Sequence, residues 1–185
     1  MSKIAVLCNE GVEEIECLTV VDFCRRAGIE VITVSVTGKR QIMGAHQIVF
    51  HADEVYADMN FDEFDGIVYP GGPGTGAMGE KPGVKELAQK FLNNGKMLAA
   101  ICAAPGMISE TGILKEKHAT GYPGCKPEGG AIWSEDAAVV DGNLVTGKGP
   151  GAAAEFAIEI IRYLAGDIKA EQIRTSTMMY IALRQ

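Results

Sequence analysis

Short β-rich runs that alternate with segments of helical period constrain this chain most. Lys3–Cys8, Gly66–Tyr69 and Met97–Ile101 are almost uninterruptedly apolar, and Glu30–Val36 is rich in β-branched residues. A strand covered on both faces reads as a continuous apolar run, whereas a half-exposed strand alternates. Between these runs lies a helix over Glu13–Ala27, stopped at Gly28. A second helix has Pro82 near its first turn and ends at Asn93-Asn94-Gly95. Gln41–His51 reads as a hairpin or bent excursion centred on Gly44. Ala137–Val140 and Leu144–Thr146 flank the turn signal Asp141-Gly142-Asn143. A helix leads from Cys102 to about Thr111, an amphipathic one covers Ala152–Ala165, and Ile168 to Leu183 holds one more short helix. This order predicts an α/β fold: a doubly wound, mostly parallel sheet sandwiched by helices.

The chain has 185 residues, and no internal repeat or linker divides it, so residues 1–185 are expected to form a single domain. A net charge of −7, without a cluster of basic residues, argues against nucleic acid and anionic membrane surfaces. A small molecule or another protein is the expected partner. The apolar run Ile4–Cys8 is too short for a signal-peptide core, and no stretch approaches the roughly 20 apolar residues of a membrane span. The five cysteines cannot all pair within one chain and none forms a C-x-x-C. A reduced, cytoplasmic setting follows as the expectation.

Gly74-Thr75-Gly76-Ala77-Met78-Gly79 matches the dinucleotide pattern G-x-G-x-x-G, but its context fails. Pro70 and Pro73 intervene, and no acidic residue stands at a strand end about 20 residues on. Gly147-Lys148-Gly149-Pro150-Gly151 lacks P-loop spacing and reads as a tight strand-to-helix turn. His46, His51 and His118 have no metal-ligand spacing. No cofactor or metal is expected.

Ala99-Ala100-Ile101-Cys102-Ala103-Ala104-Pro105-Gly106 carries the chemistry. A buried strand runs directly into a helix whose first residues are small, which allows the sharp turn of a nucleophile elbow. A cysteine there faces unpaired helix N–H groups, which are expected to lower its pKa. The alternative is a buried, inert core cysteine. Glu16 heads the row Glu16, Val20, Phe23 and Ala27 on one face of the first helix. A carboxylate leading an apolar row is costly unless partnered or protonated. Both the first helix and Cys102 follow C-terminal strand ends, which share one crevice in doubly wound sheets, so Glu16 is placed to face Cys102. The alternative is a helix-start acid favoured by the dipole.

Glu13-Glu14-Ile15-Glu16, Arg25-Arg26-Ala27-Gly28, Tyr69-Pro70-Gly71-Gly72, Ala100-Ile101-Cys102-Ala103 and Gly149-Pro150-Gly151 together resemble the ThiJ/PfpI superfamily. Their order and the chain length look most like its branch containing the Parkinsonism-associated protein deglycase. The resemblance implies a flavodoxin-like sandwich, a homodimer and a catalytic Cys102–Glu16 pair. It also implies an oxyanion or binding site made of Gly72 and Ala103 N–H groups, with Gly71 and Tyr122 beside them.

The activity implied is cofactor-free conversion of small dicarbonyls to hydroxy acids, or deglycation, with Cys102 as nucleophile and Glu16 as acid and base. An oxidative-stress sensor or chaperone-like protein, with Cys102 oxidised to a sulfinate, is the second reading. A cysteine hydrolase or peptidase is the third, and it is disfavoured because Ala103 rather than histidine follows Cys102. Tyr122 of Gly121-Tyr122-Pro123-Gly124 also stands where that branch often has a histidine, which removes one proton shuttle; His118 is a poor substitute.

Overall fold

A computed structural model describes residues 1–126 and 129–179. The chain runs β1 (Lys3–Cys8), α1 (Glu14–Arg26), β2 (Glu30–Ser35), β3 (Gln41–Met43), β4 (Val49–His51), β5 (Glu54–Val55) and β6 (Gly66–Tyr69). It continues through α2 (Thr75–Gly79), α3 (Val84–Asn93), β7 (Met97–Ile101), α4 (Ala104–Ser109), β8 (His118–Ala119) and β9 (Ile132–Trp133). The last elements are β10 (Ala138–Asp141), β11 (Leu144–Gly147), α5 (Ala153–Ala165) and α6 (Asp167–Ser176).

Seven strands form one sheet in the order β10-β11-β7-β6-β1-β2-β5. Every neighbouring pair in it is parallel except the β10–β11 hairpin at one edge. Because side chains alternate across a strand, each central strand feeds two cores. Ile4, Val6, Val68, Ala99 and Val145 join the layer that contains α1 and α5. Ala5, Leu7, Ile67, Leu98 and Leu144 join the layer that contains α3 and α4. In α5, Ala153, Phe156, Ala157, Ile160 and Ile161 recur at helical spacing and are all buried.

The doubly wound sandwich expected from the apolar runs is the observed one. Several boundaries shift by a residue, and two differ by more. The segment after Gly74 is split into α2 and α3, because Gly83 takes φ +82° as the N-cap of α3 and leaves Pro82 ahead of the helix. The helix after Cys102 ends at Ser109, two residues before Thr111. The expected Gln41–His51 excursion is an antiparallel hairpin pairing Ile42 with Phe50. The final helix ends at Ser176, and residues 180–183 of the expected segment lie outside the described residues. Among the described residues no helix is long and apolar enough to cross a membrane.

Candidate active site

The C-terminal ends of β1, β6 and β7 lie side by side, and the loops that leave them build the site. Cys102 follows β7 with φ +63°, in the left-handed region that a residue with a Cβ enters at a cost of about 1–3 kcal/mol. Two backbone bonds hold it there. Its N–H donates to the Gly147 carbonyl at 2.9 Å, and its carbonyl accepts from the Tyr122 N–H at 2.8 Å. Ala103 then caps α4, with Pro105 in the first turn. The elbow expected from the small residues is therefore present as backbone geometry.

Close packing around it depends on missing Cβ atoms. A Cβ on Gly71 would stand 2.6 Å from Cys102 Cβ and 2.7 Å from Glu16 Oε2. Gly72 has φ +109°, and a Cβ there would meet Glu13 N and Gly11 O at 2.5 Å. The β6–α2 loop can thus lie against both the start of α1 and the elbow.

Glu16 is fully buried, as are Cys17 and Val20 beside it on α1. Its Oε2 accepts a 2.8 Å hydrogen bond from the Gly71 N–H. Its Oε1 is, among the described residues, the buried side-chain oxygen without a partner of full hydrogen-bond geometry. Burial pushes the carboxyl up from an ordinary 4.5 to about 7. The adjoining Cys102 thiol and the Gly71 N–H oppose that rise, and the Glu13 charge adds to it.

The thiol overturns one expectation. Helix N–H groups were expected to lower the Cys102 pKa, yet it is pushed up to about 12. Burial is the largest cause, followed by the charge and hydrogen bond of Glu16. The N–H groups of Ala103 and Gly72 rest on the sulfur and pull the other way, but by less. A helix as short as α4 offers little dipole to offset burial. At neutral pH the resting sulfur is a thiol beside a carboxyl poised to exchange a proton.

The other expected residues separate into two places. Gly72 and Ala103 line a cavity of about 470 Å³, together with Cys125 and Lys126. Gly71 has its N–H engaged by Glu16, so it is a positioner of the carboxyl rather than a free donor. Tyr122 touches the elbow through its backbone, but its half-exposed ring lies in a separate recess of about 410 Å³ with Glu135, Lys148 and Gly149. The ring is not brought beside Gly72 and Ala103. His118 lies in β8, where its N–H donates to Asp141. The G-x-G-x-x-G segment has a packing role: a Cβ on Gly74 would fall 1.9 Å from the Glu10 carbonyl.

The sequence reading missed Glu13, Glu14 and His46. The Glu14 carboxylate is buried and accepts from the N–H of His46 at 2.8 Å and, through its second oxygen, meets His46 Nδ1 at 3.0 Å. Glu13 Oε1 is 3.5 Å from the same nitrogen. These groups bring ligand-type atoms within 4.8 Å of one another, but they are spent on each other and on backbone N–H groups. The available signal was the acidic run Glu13-Glu14 opposite a turn that needs Gly44, since a Cβ at Gly44 would overlap Glu14 Oε1.

A family model described as the DJ-1/PfpI family matches residues 2–163. Protein dj-1beta of Drosophila melanogaster is 38% identical over 178 residues, spanning 94% of this chain and 95% of that protein. Its crystal structure superposes with a TM-score of 0.91 at 35% identity, over 98% of this chain and 100% of the other. A Caenorhabditis elegans protein named glutathione-independent glyoxalase DJR-1.2 is 33% identical, over 93% of both chains. A protein of Pyrococcus abyssi named a deglycase is 30% identical over 88% of this chain and 99% of its own.

Proposed function

The chain belongs to the DJ-1/PfpI family, and from that premise we propose that it is a cofactor-independent glyoxalase of the deglycase type, acting on small reactive dicarbonyls. Relatives named as a glyoxalase and a deglycase support the reaction class. The observation that carries the reading is the pairing of a carboxyl raised to about 7 with a thiol on a strained elbow, under two N–H groups. A general base works best when its pKa lies near the operating pH.

In the proposed reaction Glu16 carboxylate accepts the Cys102 proton as sulfur adds to the aldehyde carbon, and it returns that proton to the new alkoxide. The product of this step is a hemithioacetal. While charge sits on the oxygen, the Gly72 and Ala103 N–H groups are its donors. Glu16 next removes the proton from the former aldehyde carbon and delivers it to the adjacent carbonyl carbon, while the hemithioacetal hydroxyl proton passes to the neighbouring oxygen, leaving a 2-hydroxy thioester. Water cleaves the thioester to a hydroxy acid and restores the thiol. The net change is addition of one water to methylglyoxal to give lactate, without redox partner or metal.

The test is methylglyoxal consumption and lactate formation in the absence of glutathione and added metal. Cys102→Ser is expected to abolish lactate, and Glu16→Gln to reduce it by about 10²–10⁴-fold. Wild type producing no Cys102-dependent lactate would remove this reading for that substrate. Oxidation sensing by Cys102 is the second reading; it draws on the same Cys102–Glu16 pair and has no separate observation behind it. A peptidase has none beyond the elbow itself.

A homodimer belongs to the same proposal. Ile15 and Leu18 of α1 and Met43, Ile48 and Val49 of the hairpin are exposed on adjoining elements, an apolar surface suited to a second copy. Five free cysteines, with Cys8 and Cys17 sulfurs 3.6 Å apart and unlinked, suit a reducing cytoplasm.

A further inference from the structure

Hydrogen bonds on both sides of Gly72 hold the turn that lies against the elbow. On one side, the Glu13 N–H donates to the Gly71 carbonyl at 3.0 Å. The peptide joining Gly71 to Gly72 is trans, so its N–H points opposite to its carbonyl. The Gly72 N–H is therefore turned away from α1. On the other side, the Gly72 carbonyl accepts the Thr75 N–H at 3.1 Å and the Thr75 hydroxyl at 2.8 Å. Thr75 is itself anchored through its neighbour. The Gly74 N–H donates to the Gly11 carbonyl at 3.1 Å, and the Gly74 carbonyl accepts from the Asn9 side-chain amide at 2.9 Å. Thr75 is buried, yet it lines the cavity together with Gly72 and Ala103. The reaction as written gives its hydroxyl no step.

We propose that Thr75 is a positioning residue for the oxyanion site: by holding the Gly72 carbonyl, its hydroxyl fixes the direction of the Gly72 N–H, which meets the sulfur at rest and the developing oxygen during attack. This rests on the reading of Cys102 as nucleophile and of Gly72 as its donor. The hydroxyl touches no reacting atom, and its effect is on angle. A hydrogen bond weakens steeply once the donor angle falls below about 120°. An oxyanion donor is worth about 10²–10³-fold only where it is aimed at the developing charge. Gly72, at φ +109° and without a Cβ, has little steric restraint of its own on that aim. The Thr75 N–H alone would leave its carbonyl on one bond of 3.1 Å, about which the turn can swing. The hydroxyl adds a second, shorter bond and removes that freedom. No side chain at position 72 could do the same, since a Cβ there would meet Glu13 N and Gly11 O at 2.5 Å.

Two truncations separate the hydroxyl from the rest of the side chain. Thr75→Ser keeps it and Thr75→Ala removes it, and neither adds volume. The first readout is lactate formation from methylglyoxal. Thr75→Ala is expected to lower kcat by about 10-fold with KM within about twofold, because the lost alignment matters where charge develops; Thr75→Ser should stay within about threefold of wild type. The second readout involves no carbonyl addition: the rate at which iodoacetamide alkylates Cys102 at pH 8, followed by peptide mass. An N–H held on the sulfur favours thiolate, so Thr75→Ala should slow alkylation by about three- to tenfold and Thr75→Ser should not. A side chain that served only as cavity wall would do the reverse on truncation, admitting the reagent faster and changing KM. Ala and Ser variants that behave alike in either readout, a change confined to KM, or faster alkylation in Thr75→Ala would overturn the proposal. Wild type forming no Cys102-dependent lactate would instead overturn the glyoxalase reading, and the alkylation rates alone would then decide the role of Thr75.

Discussion

Glu16 is held at the expense of stability, and Glu16→Gln should reveal how much. Its carboxyl titrates at about 7 in the folded chain, against an ordinary 4.5. At about 1.4 kcal/mol per pH unit, that gap corresponds to roughly 3 kcal/mol of penalty for burying the charge. Below pH 4.5 both folded and unfolded chains hold the proton, so no penalty applies. Between 4.5 and 7 the unfolded chain releases it while the folded chain keeps it, and wild-type stability falls as pH rises. Above 7 the folded chain is charged as well, and the full penalty stands. Cys102 remains a thiol through this window, since it is pushed up to about 12. The Gln amide keeps an oxygen to accept from Gly71 N–H and never ionises. The variant should therefore match wild type near pH 4.5 and exceed it by up to about 3 kcal/mol at pH 8. Urea unfolding at fixed protein concentration reads this directly, as a midpoint difference of about 1 M that grows with pH while the slope stays constant. A difference independent of pH, or a Gln variant less stable at pH 8, would refute the placement of a strained carboxyl here.

Gly71→Ala should cost about 1–3 kcal/mol and lower lactate formation by about 10²-fold, because its Cβ would meet Cys102 Cβ at 2.6 Å and the Ile101 carbonyl at 2.9 Å; melting and steady-state kinetics check both. Tyr122→Phe should change the rate by less than about twofold, since the ring lies outside the cavity lined by Gly72 and Ala103, and a loss typical of a general acid would contradict that. Light scattering should give about twice the 19.7 kDa chain mass, and Ile15→Asp with Ile48→Asp should return it to the monomer.

What could be read from the sequence follows from what burial does to local pattern. Lys3–Cys8 and Met97–Ile101 stand out because both faces are covered, and such strands need no polar positions. Strands β5, β8 and β9 are two residues each, too short to produce a period. The break between α2 and α3 turns on the positive φ of Gly83, which a Pro-Gly pair permits but does not dictate. Cys102 and Glu16 were legible as a small-residue turn and as a carboxylate at the head of an apolar helix row. Their pKa directions were not: a helix start is visible in sequence, whereas the packing of Gly71 against both groups is long-range, 55 positions from Glu16 alone. His46 was missed for the same reason, lying 32 positions from Glu14 in a loop whose only local signal is Gly44.

The raised thiol changes how the proposed chemistry is driven. A preformed thiolate would be nucleophilic toward any electrophile that entered, whereas a thiol held up to about 12 is quiet. Glu16, near 7, cannot strip that proton from the resting sulfur to any large extent. It can do so during attack, because the thiol proton becomes far more acidic as sulfur bonds to a carbonyl carbon. The same N–H groups that rest on the sulfur, from Gly72 and Ala103, then find a developing oxyanion as a stronger acceptor. Activation is tied to the arrival of a carbonyl of the right reach. On this argument the strain at Cys102, with φ +63°, and the buried carboxyl are two parts of one device. The backbone aims the sulfur, and the carboxyl holds a proton acceptor against it without releasing a free thiolate.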